Sequence, residues 1–356
     1  MRRTETVPTT LAAVFLLACG APEPPSAEDA AAAARGETRG FVLSRWAMVI
    51  PATDPADCPQ GFNLNYVEFE EQQGREVATD CDDPAAHPDP GYRTLDAPGT
   101  LLGLDLDGIA STLASSGPGT CPHDDFSGPG GEPGIDHQVW RAIGCVRGYQ
   151  KGDQIDSTSR AAIKDGSLTI LLEVTGVDDL IEDDEIQLRI FSSSDRAPLS
   201  PAGELLPGAS LEVHEEQRFH SRVARGQIRD GILTTEPIDM RLELTIQVID
   251  FEYWIRDARI RMQMRPDGTG EGVLAGYWDL ENFYSVMARH YLASAAARFL
   301  GYTCPGFYAA LHSQADGHPD PETGQCTSLS AAWEIEAVPA FVIQSDAPAV
   351  PVATGG

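Results

Sequence analysis

The stretch RLELTIQV at residues 241–248 carries the pattern that decides the fold, with leucine, isoleucine or valine at every second position. Because successive side chains of a β-strand point to opposite faces of the sheet, this alternation predicts an antiparallel strand with one buried face and one solvated face. The same alternation occurs in SLTILLEV at 167–174, in IQLRI at 186–190 and in ARIRMQM at 258–264. These four segments predict a sheet.

Turn signals lie between these segments. The pairs that suit tight turns are Asp165-Gly166, Asp230-Gly231 and Asp267-Gly268. The sequence RPDGTG around the last pair predicts a hairpin, and no helix-length apolar period interrupts residues 167–278. We therefore predict a mainly β fold class, an antiparallel β-sandwich or jelly-roll-like fold with a C-terminal helix and disulfide-linked loops. The alternative is a closed barrel that encloses a ligand cavity.

The C-terminal helix is predicted at residues 280–300. Large apolar side chains such as Phe283 and Met287 recur there about every four residues, Asp279 is placed to cap the first turn, and Gly301 follows the last one. Further on, an apolar stretch at 340–343 predicts a strand that returns to the sheet.

Composition and charge exclude several functions. The chain has 356 residues, with 54 acidic and 25 basic side chains and a net charge of −29. A nucleic-acid-binding protein needs a basic surface to displace the counterions of the phosphates, and this balance argues against one. It also argues against a polybasic peripheral membrane protein. The 42% of hydrophobic residues indicates a folded protein with a sizeable core.

The N-terminus reads MRRTETVPTTLAAVFLLAC, a basic start followed by a short apolar stretch. An apolar run of about eight residues is too short to span a bilayer core of about 30 Å, so we interpret it as a signal peptide. Leu16-Leu17-Ala18-Cys19 resembles the lipobox of bacterial lipoproteins. The resemblance implies cleavage after residue 18, acylation of Cys19 and attachment to a membrane of the cell envelope. Gly20, where an aspartate would resemble an inner-membrane retention signal, favours the outer membrane or cell surface.

Seven cysteines are present, and assigning Cys19 to lipid leaves an even number in an exported chain. Six such cysteines predict three disulfides, because the export route is oxidising. Fifteen pairings are formally open. The spacing favours three local pairs, Cys58–Cys81, Cys121–Cys145 and Cys304–Cys326.

These patterns divide the chain into five predicted segments. They are a signal peptide at 1–18, the acylated cysteine and a flexible tether at 19–40, a loop region rich in Asp, Gly and disulfides at 41–160 with strand candidates at 41–50, 65–71 and 100–109, an antiparallel core at 161–280, and a helix, disulfide loop and returning strand at 281–356.

Oxygen-rich loops make calcium the predicted cofactor, because calcium binds six to eight oxygen ligands and flexible Asp/Gly loops can supply them. The candidate ligands fall in two groups, Asp105, Asp107, Asp124, Asp125 and Asp136 in the first and Asp316, Asp320 and Glu322 in the second. A third acidic run at 178–184 connects two strands. The opposing interpretation is that acidic runs are solvated surface and Asp-Gly pairs are ordinary turns.

Two other kinds of site compete with calcium. His123 and His137 flank Asp136 closely enough in sequence to suggest a transition-metal site in a hydrolase. Exposed aromatic rings such as Trp254, or Trp278 with Tyr277, would suit stacking of a sugar or peptide, although core burial explains them equally well.

No catalytic signature occurs in the sequence: it has no GxSxG, no phosphate-binding GK[ST] loop and no HExxH. The leading hypothesis is a non-catalytic, lipid-anchored exported protein, stabilised by calcium, that binds an extracellular ligand or protein partner. The second is an exported metal- or carboxylate-dependent hydrolase of a polymer such as a glycan, using His123, Asp136 and His137. The third is a barrel that carries a hydrophobic ligand between membranes.

Overall fold

The structure is a computed structural model, which describes residues 36–51, 58, 77–88, 91–96, 98–150, 154–246, 249–293 and 302–344. The predicted signal peptide, Cys19, most of the tether and the strand candidate at 65–71 lie outside the described residues. In the described part of the chain, no helix is both long enough and apolar enough to cross a membrane.

Eleven strands form one mixed sheet within these ranges. They are β1 (Glu37–Met48), β2 (Thr169–Val177), β3 (Asp183–Ser193), β4 (Ala209–Glu212), β5 (Ala224–Arg229), β6 (Ile232–Thr235), β7 (Ile238–Ile246), β8 (Ile249–Met264), β9 (Gly270–Asp279), β10 (Gly317–Pro319) and β11 (Cys326–Ile343). The predicted mainly β class is confirmed, and the alternating segments at 167–174, 186–190, 241–246 and 258–264 all lie in or overlap strands.

The sheet closes on itself. Its hydrogen-bonded order is β1, β2, β3, β5, β6, β8, β9, β11, and β1 also pairs with β11. All of these pairings are antiparallel. Ring strands that follow one another along the chain are therefore hydrogen-bonded neighbours, as in an up-and-down barrel. A closed sheet, like the predicted sandwich, buries the inner faces of two opposed layers. Here both layers belong to one continuous sheet, as in the alternative prediction of a closed barrel.

The interior of the ring is filled by the apolar half of each alternating strand. Leu172 lies opposite Ile190, Val174 opposite Leu188, and all four side chains are buried. Each such side chain contributes about 1.5–3 kcal/mol through burial. Polar members of the same strands, such as Arg261, face outward, as the alternation predicts.

Three strands lie off the ring. β7 forms a hairpin with β8, β10 pairs with β11, and β4 runs parallel to the end of β11, which makes the sheet mixed. The predicted turn at Asp230-Gly231 joins β5 to β6 with positive φ at both residues. Glycine adopts this backbone conformation without strain, which explains its place there.

Five α-helices occur in the described residues, α1 (Val77–Asp82), α2 (Gln138–Ile143), α3 (Gln154–Asp165), α4 (Leu280–Ala293) and α5 (Cys304–Gln314). The predicted C-terminal helix corresponds to α4, and its remaining predicted residues lie outside the described part. Asp279 caps it, since its Oδ1 accepts a hydrogen bond from the Asn282 amide at 2.9 Å.

The strand predicted at 100–109 is wrong. Only Thr100 forms an isolated bridge there, and the chain then bends through residues 106–109. Carboxylates take the backbone amides that a strand partner would need: Asp105 accepts from Gly108 N at 2.6 Å and Asp136 from Leu106 N at 2.6 Å. Side-chain acceptors of this kind compete with regular secondary structure.

The three predicted disulfides are present, but the local pairing is wrong. The bonds join Cys58 to Cys145, Cys81 to Cys304 and Cys121 to Cys326. The last two bridge 223 and 205 residues, because α1 packs against α5 and the loop carrying Cys121 lies beside the start of β11. Each bond therefore ties distant segments together and does not close a local loop.

Candidate metal centre and ligand cavity

Acidic side chains converge on the outer face of the closed sheet. The segment 100–137 covers β9 and β11 there, and Gly103 packs so closely that an added Cβ would lie 2.5 Å from the Ile135 side chain and 3.9 Å from that of Ala332. Asp105, Asp107 and Asp136 each offer one carboxylate oxygen, and these oxygens lie within 4.8 Å of one another. We call these three residues, with their neighbours Asp125 and Asp316, the aspartate cluster.

Backbone amides and hydroxyls hold the carboxylates in place. Asp107 Oδ2 accepts from Gly117 N at 2.9 Å, Ser111 Oγ at 2.9 Å and Thr120 Oγ1 at 3.0 Å. Asp316 Oδ1 accepts from the Ser330 amide of β11 at 2.7 Å. The cluster thus draws its members from a loop on one side and from the residue before β10 on the other.

The electrostatics of the cluster favour a cation. Burial, reinforced by the charge of Asp316, raises the pKa of Asp136 to about 9. Burial, with the charge of Asp107, raises the pKa of Asp125 to about 7, and burial raises that of Asp316 to about 6. Burial also acts to raise the pKa of Asp107, but its hydrogen bonds outweigh this and lower it. Without a cation, the cluster therefore retains protons at neutral pH.

We expect the cation-free protein to lose stability as the pH rises. The pKa values of Asp136 and Asp125 in the folded state, about 9 and about 7, exceed the value of 3.8 for a free aspartate. A folded state that binds protons more tightly than the unfolded chain gains stability that is complete below about pH 4 and is lost as the pH passes through the folded pKa values. The urea midpoint in chelator should fall between about pH 5 and about pH 8.

Asp136→Asn should flatten this dependence, whereas Asp320→Asn, which alters an exposed turn, should preserve it. A midpoint that rises over the same pH range would contradict the assignment of raised pKa values to the cluster.

Other predicted calcium ligands lie elsewhere. Asp124 is turned away, with its Oδ1 accepting from Leu113 N at 2.9 Å. Asp320 and Glu322 lie in the exposed turn before β11, where Asp320 Oδ1 accepts from the amides of Glu322 at 3.0 Å and Thr323 at 2.8 Å. The acidic run at 178–184 also forms a turn, since Asp183 accepts from Asp178 N at 2.7 Å. These residues match the opposing interpretation of ordinary turns and solvated surface.

The histidine site of the hydrolase hypothesis is not assembled. His137 is fully buried, its Nε2 donates to Val49 O at 2.8 Å, and its Nδ1 accepts from Ala332 N at 3.2 Å. Burial lowers its pKa to about 4. His123 lies 3.1 Å from the carbonyl oxygen of Ser313 through Nε2. Both nitrogens of His137 are thus committed to the backbone, and its role is structural.

A cavity of about 560 Å³ lies at one end of the closed sheet, where β1 and β9 finish and β2 begins. Helices α3 and α4 and the adjoining ends of β7 and β8 form most of the rest of its wall. Trp46, Trp278 and Trp333 line it together. Trp46 stacks on Trp333 with ring centroids 4.9 Å apart, and Trp278 stacks on Phe283 at 3.9 Å. The rings are held by packing, which gives the cavity a rigid aromatic wall.

Polar groups of the lining lie on α3, on α4 and at the neighbouring ends of β2 and β7. They are the hydroxyls of Ser157, Thr158, Ser159, Ser167 and Thr245, the imidazole of His290 and the carboxylate of Asp165. Burial lowers the pKa of His290, so this imidazole is neutral at neutral pH. Asp165 is then the charged side chain of the lining, and the cavity combines an apolar body with a weakly anionic edge.

Of the three tryptophans that line this cavity, only one is a candidate ligand contact from sequence. Trp278 was a candidate for ligand contact, and the structure places it in the lining. Trp254 instead lies outside the cavity between Arg241 and Arg256, at 4.6 and 5.0 Å from their guanidinium carbons. Tyr277 is buried against the aspartate cluster side of β9. Trp46 and Trp333 were missed, although Trp333 alternates with glutamates along β11; β1, which carries Trp46, shows no such alternation.

Comparison with known proteins identifies no relative: no family model matches the chain, and searches of curated proteins and of solved structures find no similar protein.

Proposed function

We propose that this chain is a non-catalytic, exported binding protein whose ligand occupies the cavity at the end of the closed sheet. The observation that carries the proposal is the aromatic wall of Trp46, Trp278 and Trp333 around about 560 Å³ of space. Cavities of about 300–1,000 Å³ with apolar walls and a few polar groups are typical of small-molecule sites, and the mouths of barrels are a common place for them.

Tight packing of the ring interior next to the cavity limits how deep a ligand could reach. Interior side chains such as Leu172, Leu274 and Ile335 are at most 1% exposed. Met48, opposite Trp333 in the register, forms part of the lining at the end of the ring. A ligand would therefore enter at this end, between α3 and α4, and would not pass through the sheet.

The lining chemistry defines the ligand class. Its aromatic and aliphatic side chains suit an apolar body, either aromatic or a short alkyl chain. Asp165 and the hydroxyls of α3 suit a polar end that is neutral or cationic. An anionic end would face the Asp165 carboxylate without a cationic side chain of the lining to balance it. We propose an apolar small molecule with a neutral or cationic polar end.

The N-terminal sequence supports a location at the cell envelope. The likeness of Leu16-Leu17-Ala18-Cys19 to a lipobox supports a protein held at the cell envelope through acylated Cys19, with the outer membrane or cell surface favoured. The tether predicted at 19–40 is too long, because residues 37–40 already belong to β1. Residues 20–35, rich in Ala, Pro and Glu, would then act as the tether. Disulfides in the folded part agree with an oxidising compartment.

Two fluorescent probes with the same ring system test this proposal. N-phenyl-1-naphthylamine is neutral, and 1-anilinonaphthalene-8-sulfonate is its anionic counterpart. We expect the neutral probe to bind one site, at least about tenfold more tightly than the anionic one, which corresponds to about 1.4 kcal/mol. Fluorescence titration of the mature chain measures both dissociation constants.

Cavity-filling variants locate the bound probe. Ser159→Trp and Ala162→Trp would place an indole in the space, and each should weaken binding of the neutral probe by about tenfold or more. Arg160→Trp is the matched control, since Arg160 is on α3 but not in the lining. Equal affinity in all four proteins, or loss in the control alone, would overturn the proposal.

A further inference from the structure

We infer that the aspartate cluster is a calcium site that fastens the acidic loop region to the closed sheet. This inference is independent of the ligand cavity, because the cluster lies on the outer face of β9 and β11 and the cavity lies at the end of the ring. Three carboxylates, those of Asp105, Asp107 and Asp136, meet within 4.8 Å.

No basic side chain balances these charges by an ion pair in the part of the chain that the structure describes. Arg259 lies beside the cluster, but its Nη1 donates to the main-chain carbonyl of Asp105 at 3.1 Å and forms no ion pair with the carboxylate. Buried carboxylates are stable when they are paired or bind a metal. The cluster therefore offers three carboxyl groups to a divalent cation and has no ion-paired basic side chain, within the described residues, that would take the place of one.

A second observation, the hydroxyl of Tyr277, points to the same place. Tyr277 is only 4% exposed, and its hydroxyl has no hydrogen-bond partner. Its ring lies against Gly317, the residue after Asp316: an added Cβ on that glycine would be 2.3 Å from the ring carbon Cδ1. Tyr277 is also the register partner of Ser330, whose amide donates to Asp316.

The surroundings of this hydroxyl are acidic. Burial and the negative charges of Asp316, Asp136 and Asp107 together raise the pKa of Tyr277 far above its usual value. A buried hydroxyl without a partner is rare in folded proteins and calls for a specific explanation, such as an ion or water. A calcium ion within the cluster supplies one, because it attracts neutral oxygens as well as carboxylates, directly or through water.

The donor set favours calcium over other metals. Every candidate ligand is an oxygen, and the nitrogens of His137 are occupied, which disfavours zinc. The carboxylates come from irregular loop segments, which suits the flexible coordination of calcium better than the strict octahedron of magnesium. Asp105 precedes the bend at 106–109, Asp107 lies within it, Asp136 precedes α2, and Asp316 precedes β10. The ion would therefore join separate segments of the chain.

Calcium titration of the mature chain tests the inference. We expect one calcium ion per chain by equilibrium dialysis, with a dissociation constant of about 0.1–1 mM, as in extracellular modules, and a higher melting temperature in calcium than in chelator. Magnesium at the same concentration should produce a smaller shift. Absence of bound calcium, or equal effects of magnesium and calcium, would overturn the inference.

Variants distinguish calcium binding at the aspartate cluster from nonspecific binding to the acidic surface. Asp107→Asn and Asp136→Asn should each weaken calcium binding by about tenfold or more, and Tyr277→Phe should weaken it less. Asp136→Asn is expected to fold, because the amide has the shape of the carboxyl group and keeps an oxygen that can accept from Leu106 N. Asp320→Asn removes an acidic side chain of equal charge from an exposed turn and should bind calcium normally. Equal loss in Asp320→Asn would contradict the site.

Discussion

Replacing Cys121 and Cys326 by serine is expected to lower the free energy of unfolding by about 4 kcal/mol. Their disulfide joins residues 205 apart, but the bond between Cys81 and Cys304 already shortens the connecting path to on the order of 60 residues. Loop-closure entropy for a loop of that size gives the stated magnitude. Urea denaturation of the oxidised double variant measures the loss.

Single substitutions distinguish the observed pairing from the local one. Cys121→Ser and Cys326→Ser should have similar effects, and the double variant should add little to either, because both remove the same bond. Under the local pairing, Cys121→Ser would instead match Cys145→Ser. Peptide mapping of the oxidised wild type provides an independent reading, and recovery of a Cys121–Cys145 peptide would contradict the fold.

Trp333→Ala is expected to lower the free energy of unfolding by about 3–5 kcal/mol. Trp333 is 2% exposed in the middle of β11, with Trp46 stacked on one side and the Trp278 ring centroid 5.9 Å away. Removing the indole leaves a void between the ligand cavity and the packed interior. Urea denaturation measures this loss as well.

Trp254→Ala is the matched control for this large effect. Trp254 lies on the other face of β8 from the interior, between two arginines, and it does not line the cavity. Trp254→Ala should lower the free energy of unfolding less than Trp333→Ala does, by at least about 1 kcal/mol. Equal destabilisation by both substitutions would show that Trp333 does not hold the central position assigned to it.

The strands could be predicted from sequence because each carries its own pattern. Alternation in β2, β3, β7 and β8 is a local signal, and burial of one face follows from it. The closure of the sheet is not local. It depends on β1 pairing with β11 nearly 300 residues later, as in Phe41 opposite Pro339, and no pattern within either strand encodes that partner.

Four of the five described helices escaped prediction, and the two longest of them, α3 and α5, did so for different reasons. Helix α3 has only a few apolar residues among serine, threonine and charged ones, so its period is faint. Helix α5 does carry a recognisable start: Thr303 caps it by accepting from Gly306 N, and Pro305 lies in its first turn. That signal was present in the sequence but was obscured by the expectation of a disulfide loop from Cys304 to Cys326.

The candidate sites were partly foreseeable. Asp105, Asp107 and Asp136 were grouped correctly because they are close in sequence, whereas Asp316 joins them only through the pairing of β10 with β11. The cavity could not be read from the chain, since Trp46, Trp278 and Trp333 come from three distant strands. Cysteine pairing failed for the same reason, because contact in the fold did not follow distance along the chain.

The chain contains five tryptophans, and their positions permit a direct test of cavity binding. Trp46, Trp278 and Trp333 line the cavity, whereas Trp140 and Trp254 do not. Bromine quenches tryptophan fluorescence only at short range, so a neutral brominated medium-chain alcohol reports which indoles it contacts. One variant, Trp140→Phe with Trp254→Phe, keeps only the cavity tryptophans. The other replaces the three cavity tryptophans by phenylalanine.

The measurement that most directly tests the proposed function is the quenching of these two variants by the brominated alcohol. Binding in the cavity predicts saturable quenching that is stronger in the first variant than in the wild type and absent in the second. The first variant keeps the cavity wall intact, so its comparison with the wild type suffices even where the second does not fold. Quenching that is weaker in the first variant than in the wild type, or does not saturate, would contradict ligand binding at the end of the closed sheet.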